Sequence, residues 1–235
     1  MTPHRMRAIK AALTTSCECI GIYRSLTLCA DSSAMRIVFL LAAAGLAAPV
    51  PAIAGNVNVR VVDVNGNPVV DAVVTIKPDA GVPAGPIRFP WPNTMVQQNI
   101  AFNPGTLIVP VGATVTFPNR DKVRHHVYSF SRPAKFELKL FARDESRSYT
   151  FTSAGAVALG CNIHDAMSGF IRVVDTPFAN KTGAAGDTRI AGVGGGKARL
   201  TIWHPRLKSK LNEITFPLDV PVNGDIAKRI IVVLR

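Results

Sequence analysis

From Gly55 onward the sequence predicts an all-β protein built as a β-sandwich. Short runs alternate apolar and polar residues, and turn signals separate them at regular intervals, the pattern of a sandwich of short strands. With 48% apolar residues there is material for a core, and with 18% charged residues the composition excludes a disordered chain.

The elements follow in order. Residues 57–63 (VNVRVVD) alternate as a strand, Asn65-Gly66-Asn67-Pro68 is a turn signal, and 69–76 (VVDAVVTI) is a second strand. Together they predict a β-hairpin whose register is set by the Asn-Gly turn. Residues 78–94 are rich in Pro and Gly and read as a linker. A new β pattern opens with Phe102, Leu107-Ile108-Val109, a turn at Pro110-Val111-Gly112, and Thr114–Phe117. Short strands are expected at 127–130, 136–141, 148–151, 156–159 and 169–174. After Asp175 the stretch 183–196 is Gly-rich and predicts loops, followed by strands at 198–203, 213–218 and 226–234. The segment Ala191–Ala198 is not a phosphate loop: alanines stand where that motif needs its first glycine and its final Ser or Thr.

Ahead of the β region, residues 35–54 (MRIVFLLAAAGLAAPVPAIA) have a basic start, a short apolar run and an A-x-A end. This is the layout of a secretory signal peptide, and the apolar run is too short to span a bilayer. Residues 1–34 would then be an over-extended start outside the mature chain, together with Cys17, Cys19 and Cys29. One cysteine, Cys161, would remain. A lone thiol in an oxidising compartment has no internal disulfide partner, and is either a buried inert cysteine or occupied by a metal. Removing five basic and two acidic residues takes the formal charge from +12 to +9. A basic exported protein predicts an acidic protein partner or an anionic membrane surface rather than nucleic acid. No further apolar run predicts an integral membrane segment.

The chemistry is concentrated in Gly160-Cys161-Asn162-Ile163-His164-Asp165-Ala166-Met167. Thiolate, imidazole and thioether recur at every third position, so a tight turn between two strands would bend all three toward one point. A second imidazole must come from a neighbouring strand, and His125 and His126 are the candidates. Adjacent strand residues point to opposite faces, so both cannot readily bind. One thiolate, two imidazoles and a weak thioether are the ligand set of electron-transfer copper. Acidic residues show no paired arrangement for acid–base catalysis.

These residues resemble the cupredoxins. The loop from Cys161 to Met167 matches the C-x-x-H-x-x-M pattern of amicyanin, and the string from Phe102 to Phe117 followed by Asn119-Arg120 resembles the strand-turn-strand that precedes its first histidine. The resemblance, over roughly 95–175, implies a Greek-key sandwich holding one copper ion (Cu+/Cu2+) on His125, Cys161, His164 and Met167. His126 stands where the family has Asn. The stretches His125–Phe130, Gly160–Asp165 and Trp203-His204-Pro205 are similar to plastocyanin-like periplasmic proteins described as methylamine utilisation proteins. The outer segments resemble a different fold: 61–72 looks like the opening of a transthyretin-like or carboxypeptidase-regulatory sandwich, and 178–205 like its later strands. The domains expected are therefore a split sandwich from 55–78 plus 176–235 and a copper domain from 79–175, or else outer pieces that extend the copper sandwich.

The function expected is that of a periplasmic blue copper protein passing single electrons between redox partners such as a cytochrome c or a periplasmic dehydrogenase, with no enzymatic activity of its own. Copper trafficking or storage is the alternative. His204 is read as structural, and Arg206, Lys208 and Lys210 as either a solvated loop or a docking patch.

Overall fold

The structure, a computed structural model, describes residues 54–235, so the expectations for 1–34, for most of 35–54 and for Cys17, Cys19 and Cys29 lie outside the described residues. The strands in chain order are β1 (Ala54–Asp63), β2 (Val73–Pro78), β3 (Val96–Gln98), β4 (Ala101–Asn103), β5 (Thr106–Pro110), β6 (Ala113–Pro118), β7 (His125–Ser131) and β8 (Ala134–Phe141). They continue as β9 (Ser146–Phe151), β10 (Gly155–Gly160), β11 (Ser168–Val174), β12 (Ala179–Lys181), β13 (Asp187–Gly194), β14 (Gly196–Trp203), β15 (Glu213–Val220) and β16 (Asp225–Val232). The fold class is all-β as expected, with a further β-sandwich supplied by the flanking segments. Among the described residues no helix is long and apolar enough to cross a membrane.

The middle strands form one sandwich. A five-stranded sheet in the order β5-β11-β10-β7-β8 faces the β6–β9 pair and the small β3–β4 hairpin. Alternation sends Leu107, Val109, Val127, Val157, Leu159, Ile171 and Val173 from the large sheet against Val115, Phe117 and Phe151 from the pair, all essentially buried. Each of the fully buried phenylalanines contributes about 2–3 kcal/mol by leaving water. Phe136 stacks on Tyr149 with ring centroids 4.1 Å apart, and both rings meet Phe151 to close one edge.

The outer segments form the second sandwich, with sheets β13-β1-β16 and β12-β2-β14-β15 around Val57, Val59, Val61, Val74, Ile76, Leu200 and Ile202. β1 runs antiparallel to β13 and parallel to β16. A third cluster, with Val73, Ile108, Val174 and Trp203 at its centre, joins this sandwich to the middle one. Trp91 is tied there too, donating its indole N–H to the Ile108 carbonyl at 2.8 Å and stacking on Phe89.

Two expectations for the outer segments need correction. β1 and β2 do not form a hairpin. The turn exists, with Gly66 at φ 84° and Asp63 accepting N–H groups from Asn65 and Asn67, but the pairing ends at the isolated Val62–Pro68 bridge. Pro68 has no N–H to continue a ladder, and Asp71 at φ 59° redirects the chain into the opposite sheet. The Gly-rich stretch is not mainly loop either, since eight of its residues form β13. Ladder bonds need backbone only, and Ile190 and Val193 are apolar enough to give the strand an inward face.

Candidate metal centre

β7 and the β10–β11 connection bring the site together. β10 ends at Gly160, directly opposite Tyr128 of β7, and β11 restarts at Ser168. Both ends of the loop are clamped by glycines against aromatic rings. A Cβ on Gly160 would lie 2.7 Å from the Tyr128 ring and hydroxyl, and one on Gly169 would lie 2.9 Å from Phe102. The Met167 N–H donates to the His164 carbonyl at 2.8 Å, which makes the tight turn between them.

The result is a convergence of one sulfur and two ring nitrogens. Cys161 Sγ lies 3.9 Å from His125 Nδ1 and 3.8 Å from His164 Nδ1. The three ligand atoms lie within 4.8 Å of one another, and they are the one such group of His, Cys, Asp or Glu among the described residues. Metal–sulfur bonds near 2.3 Å and metal–nitrogen bonds near 2.05 Å would give these separations at an angle of about 120° on a shared first-row metal. The donor set therefore fits a trigonal ion. Met167 is buried in the same core cluster as Cys161, with 2% and 4% of their surfaces exposed. His125 is fully buried and His164 is half-buried, so the His164 ring is the side of the site nearest water.

His125 is held by a carboxylate. Its Nε2 donates to Asp121 at 2.8 Å, and a carboxylate can only accept, so the proton sits on Nε2 and the Nδ1 lone pair is free to face Cys161. Asp121 also accepts the backbone N–H groups of Asn99 and Ile100 at 2.7 and 2.9 Å. Both of these residues have positive φ, at the tip of the β3–β4 hairpin. Burial alone would raise the Asp121 carboxyl, but the hydrogen bonds from Ile100, His125 and Asn99 outweigh it and hold the group below its ordinary range. Buried Asn119 supports the same loop, accepting from the Asp121 N–H and donating to the carbonyls of Val123 and Phe141.

His126 points elsewhere. A bulge between His125 and Val127 follows the first ring, and His126 donates through Nε2 to Glu137 at 2.8 Å. The sequence had offered Asp121 no role. Its position four residues before His125 was visible, but its partners at 99–100 come from a hairpin that only the fold brings close. His204 is half-buried, with Nδ1 accepting the Arg206 N–H. Burial first, and then the Arg206 charge, keep its imidazole below the ordinary range. The Arg206 guanidinium is tied to the Arg235 carbonyl at 3.0 and 3.2 Å.

No protein-family model and no curated protein matches the chain. Solved structures do. A copper-containing nitrite reductase from Thermus scotoductus SA-01 is 31% identical over 37% of this chain and 23% of its own, with a TM-score of 0.34. The chain thus spans about a quarter of that enzyme. A purple cupredoxin from Nitrosopumilus maritimus is 24% identical over 34% of this chain and 98% of its own, with a TM-score of 0.32. A reduced single-substitution variant of amicyanin is 25% identical over 44% of this chain and 99% of its own, with a TM-score of 0.33.

Proposed function

We propose that the protein binds one copper ion through His125, Cys161, His164 and Met167 and carries single electrons between redox proteins in the periplasm. The observation that supports this most is a buried thiol lying 3.8–3.9 Å from the Nδ1 atoms of two imidazoles, with a buried thioether three residues beyond the second. Copper held by that set supplies a one-electron couple between its +1 and +2 states.

The chain's own residues would do the rest. Cys161 gives up its proton on binding and supplies the strongest and softest donor. Asp121 fixes the His125 tautomer, and the two clamped glycines fix the loop that carries Cys161 and Met167. A ligand shell held this firmly would change little between oxidation states, which keeps electron transfer fast. His125, Cys161 and Met167 are closed to water, which leaves no room for a substrate and favours a carrier over an enzyme. Contact with a redox partner would come through the half-buried His164 edge.

We read residues 79–175 as a copper domain inserted into a sandwich made from 55–78 and 176–235, with separate cores as the support. The signal-like segment and the basic balance support export and an acidic partner, for which a cytochrome c or a periplasmic dehydrogenase would serve. Titrating the metal-free protein with cupric ion tests the function. An intense visible band saturating at one equivalent, bleached by reductant and restored by oxidant, is expected. A colourless protein refutes it, and a coloured one that releases copper readily without cycling assigns storage or trafficking instead.

A further inference from the structure

Away from the metal centre, a cleft of about 860 Å³ opens between the two sandwiches. One wall is the β2-β14-β15 sheet, where Thr75, Thr201 and Thr215 stand directly opposite one another and the last two hydroxyls are 2.9 Å apart. The other wall is the β10–β11 face, where Ala156 and Ala158 leave a trough beside Phe170, together with the tip of the β7–β8 hairpin. That tip is fixed in place. The Ala158 N–H donates to Ser131 Oγ at 2.9 Å, and Pro133 packs on Gly155 so closely that a Cβ there would be 2.6 Å away.

The charges in the cleft do not balance. Lys77 pairs with Asp175 at 2.5 Å and Arg172 with Glu213 at 2.7 Å. Arg132 on the hairpin tip and Arg199 on β14 also line the cleft, and neither has an ion-pair partner among the described residues. The cleft therefore carries two uncommitted guanidiniums on opposing walls, over an apolar trough. A guanidinium matches a carboxylate with two parallel hydrogen bonds.

We propose that this cleft binds a small organic dianion, two carboxylates on an apolar frame, with Arg132 and Arg199 each taking one carboxylate and the frame lying over Ala156, Ala158 and Phe170. The site is separate from the metal: Ala156 and Cys161 are five residues apart along an extended strand, about 17 Å.

Calorimetric titration of the metal-free and copper-loaded protein with phthalate tests this, with benzoate, neutral phthalamide and inorganic phosphate in parallel. Saturable one-to-one phthalate binding is expected in both forms, about tenfold or more weaker for benzoate and absent for phthalamide. R132Q and R199Q should each weaken phthalate about tenfold. Both arginines are exposed, and their variants should melt as the parent does and keep any visible band. No saturable heat at millimolar phthalate, or binding that survives in the R132Q/R199Q double variant, overturns the proposal. Phosphate binding as tightly as phthalate overturns the dicarboxylate assignment. Because the readout does not depend on copper, a failure of the metal site leaves it interpretable.

Discussion

Asp121→Asn is the sharpest probe of how the metal site is built. The carboxylate accepts three donors: Asn99 N–H on Oδ1, and Ile100 N–H and His125 Nε2 on Oδ2. An amide has one oxygen. If that oxygen keeps Ile100 and His125, the new NH2 faces the Asn99 N–H, and one charge-assisted bond worth about 1.5–3 kcal/mol is lost. The two remaining bonds also fall from charged to neutral strength, roughly half. The sum is about 3–6 kcal/mol, or about 6–24 °C in the midpoint of a domain of this size. A neutral amide oxygen also holds the His125 Nε2–H less firmly than a carboxylate does, for which about 10–100-fold in metal affinity is expected. Melting of the metal-free protein and copper competition against a chelator give the two numbers. A D121N protein that melts and binds copper like its parent would refute the assignment of Asp121 as the group that orients His125.

Other consequences are as direct. Cys161→Ser should abolish the visible band of the copper form, whereas Met167→Leu, nearly isosteric, should keep the band and shift the reduction potential; a band retained in C161S would remove the thiolate from the site. Gly160→Ala forces a methyl against the Tyr128 ring at 2.7 Å and should cost about 1–3 kcal/mol in a thermal melt, with Tyr128→Ala in the same chain recovering part of it. No loss in G160A would mean that the loop is not clamped there. The Asp63 carboxyl is held below its ordinary value of 3.8, first by the Asn67 side chain, against the cost of burial, and then by N–H groups of the same turn. Its stabilising contribution is therefore complete above that value and disappears as pH falls through the lowered folded value. The gap in melting temperature between the parent and D63N should hold steady at neutral pH and close in acid. A gap that widens in acid would reverse the sign.

Much of this was legible in the residues, and the rest was hidden for physical reasons. The Cys161–Met167 spacing announces convergence because a tight turn acts locally, whereas the need for a second strand left His125 and His126 both open and only the family resemblance favoured His125. Strand positions in the middle sandwich follow from alternation. The crossing of β1 and β2 into opposite sheets was not legible, because the Asn-Gly signal specifies a turn and says nothing of which ladder the chain joins next. β13 was hidden because a Gly-rich strand carries little side-chain pattern. The support of Asp121 by Asn99 and Ile100, and the cleft between Arg132 and Arg199, arise from contacts among segments far apart in sequence.

The central claim is most directly met by anomalous diffraction at the copper edge from crystals of the copper-loaded protein. A single strong peak bonded to Cys161 Sγ and the Nδ1 atoms of His125 and His164, with the Met167 sulfur beside it, is the predicted result. Copper on His126, His204 or scattered surface groups, with Cys161 left unligated, would contradict it.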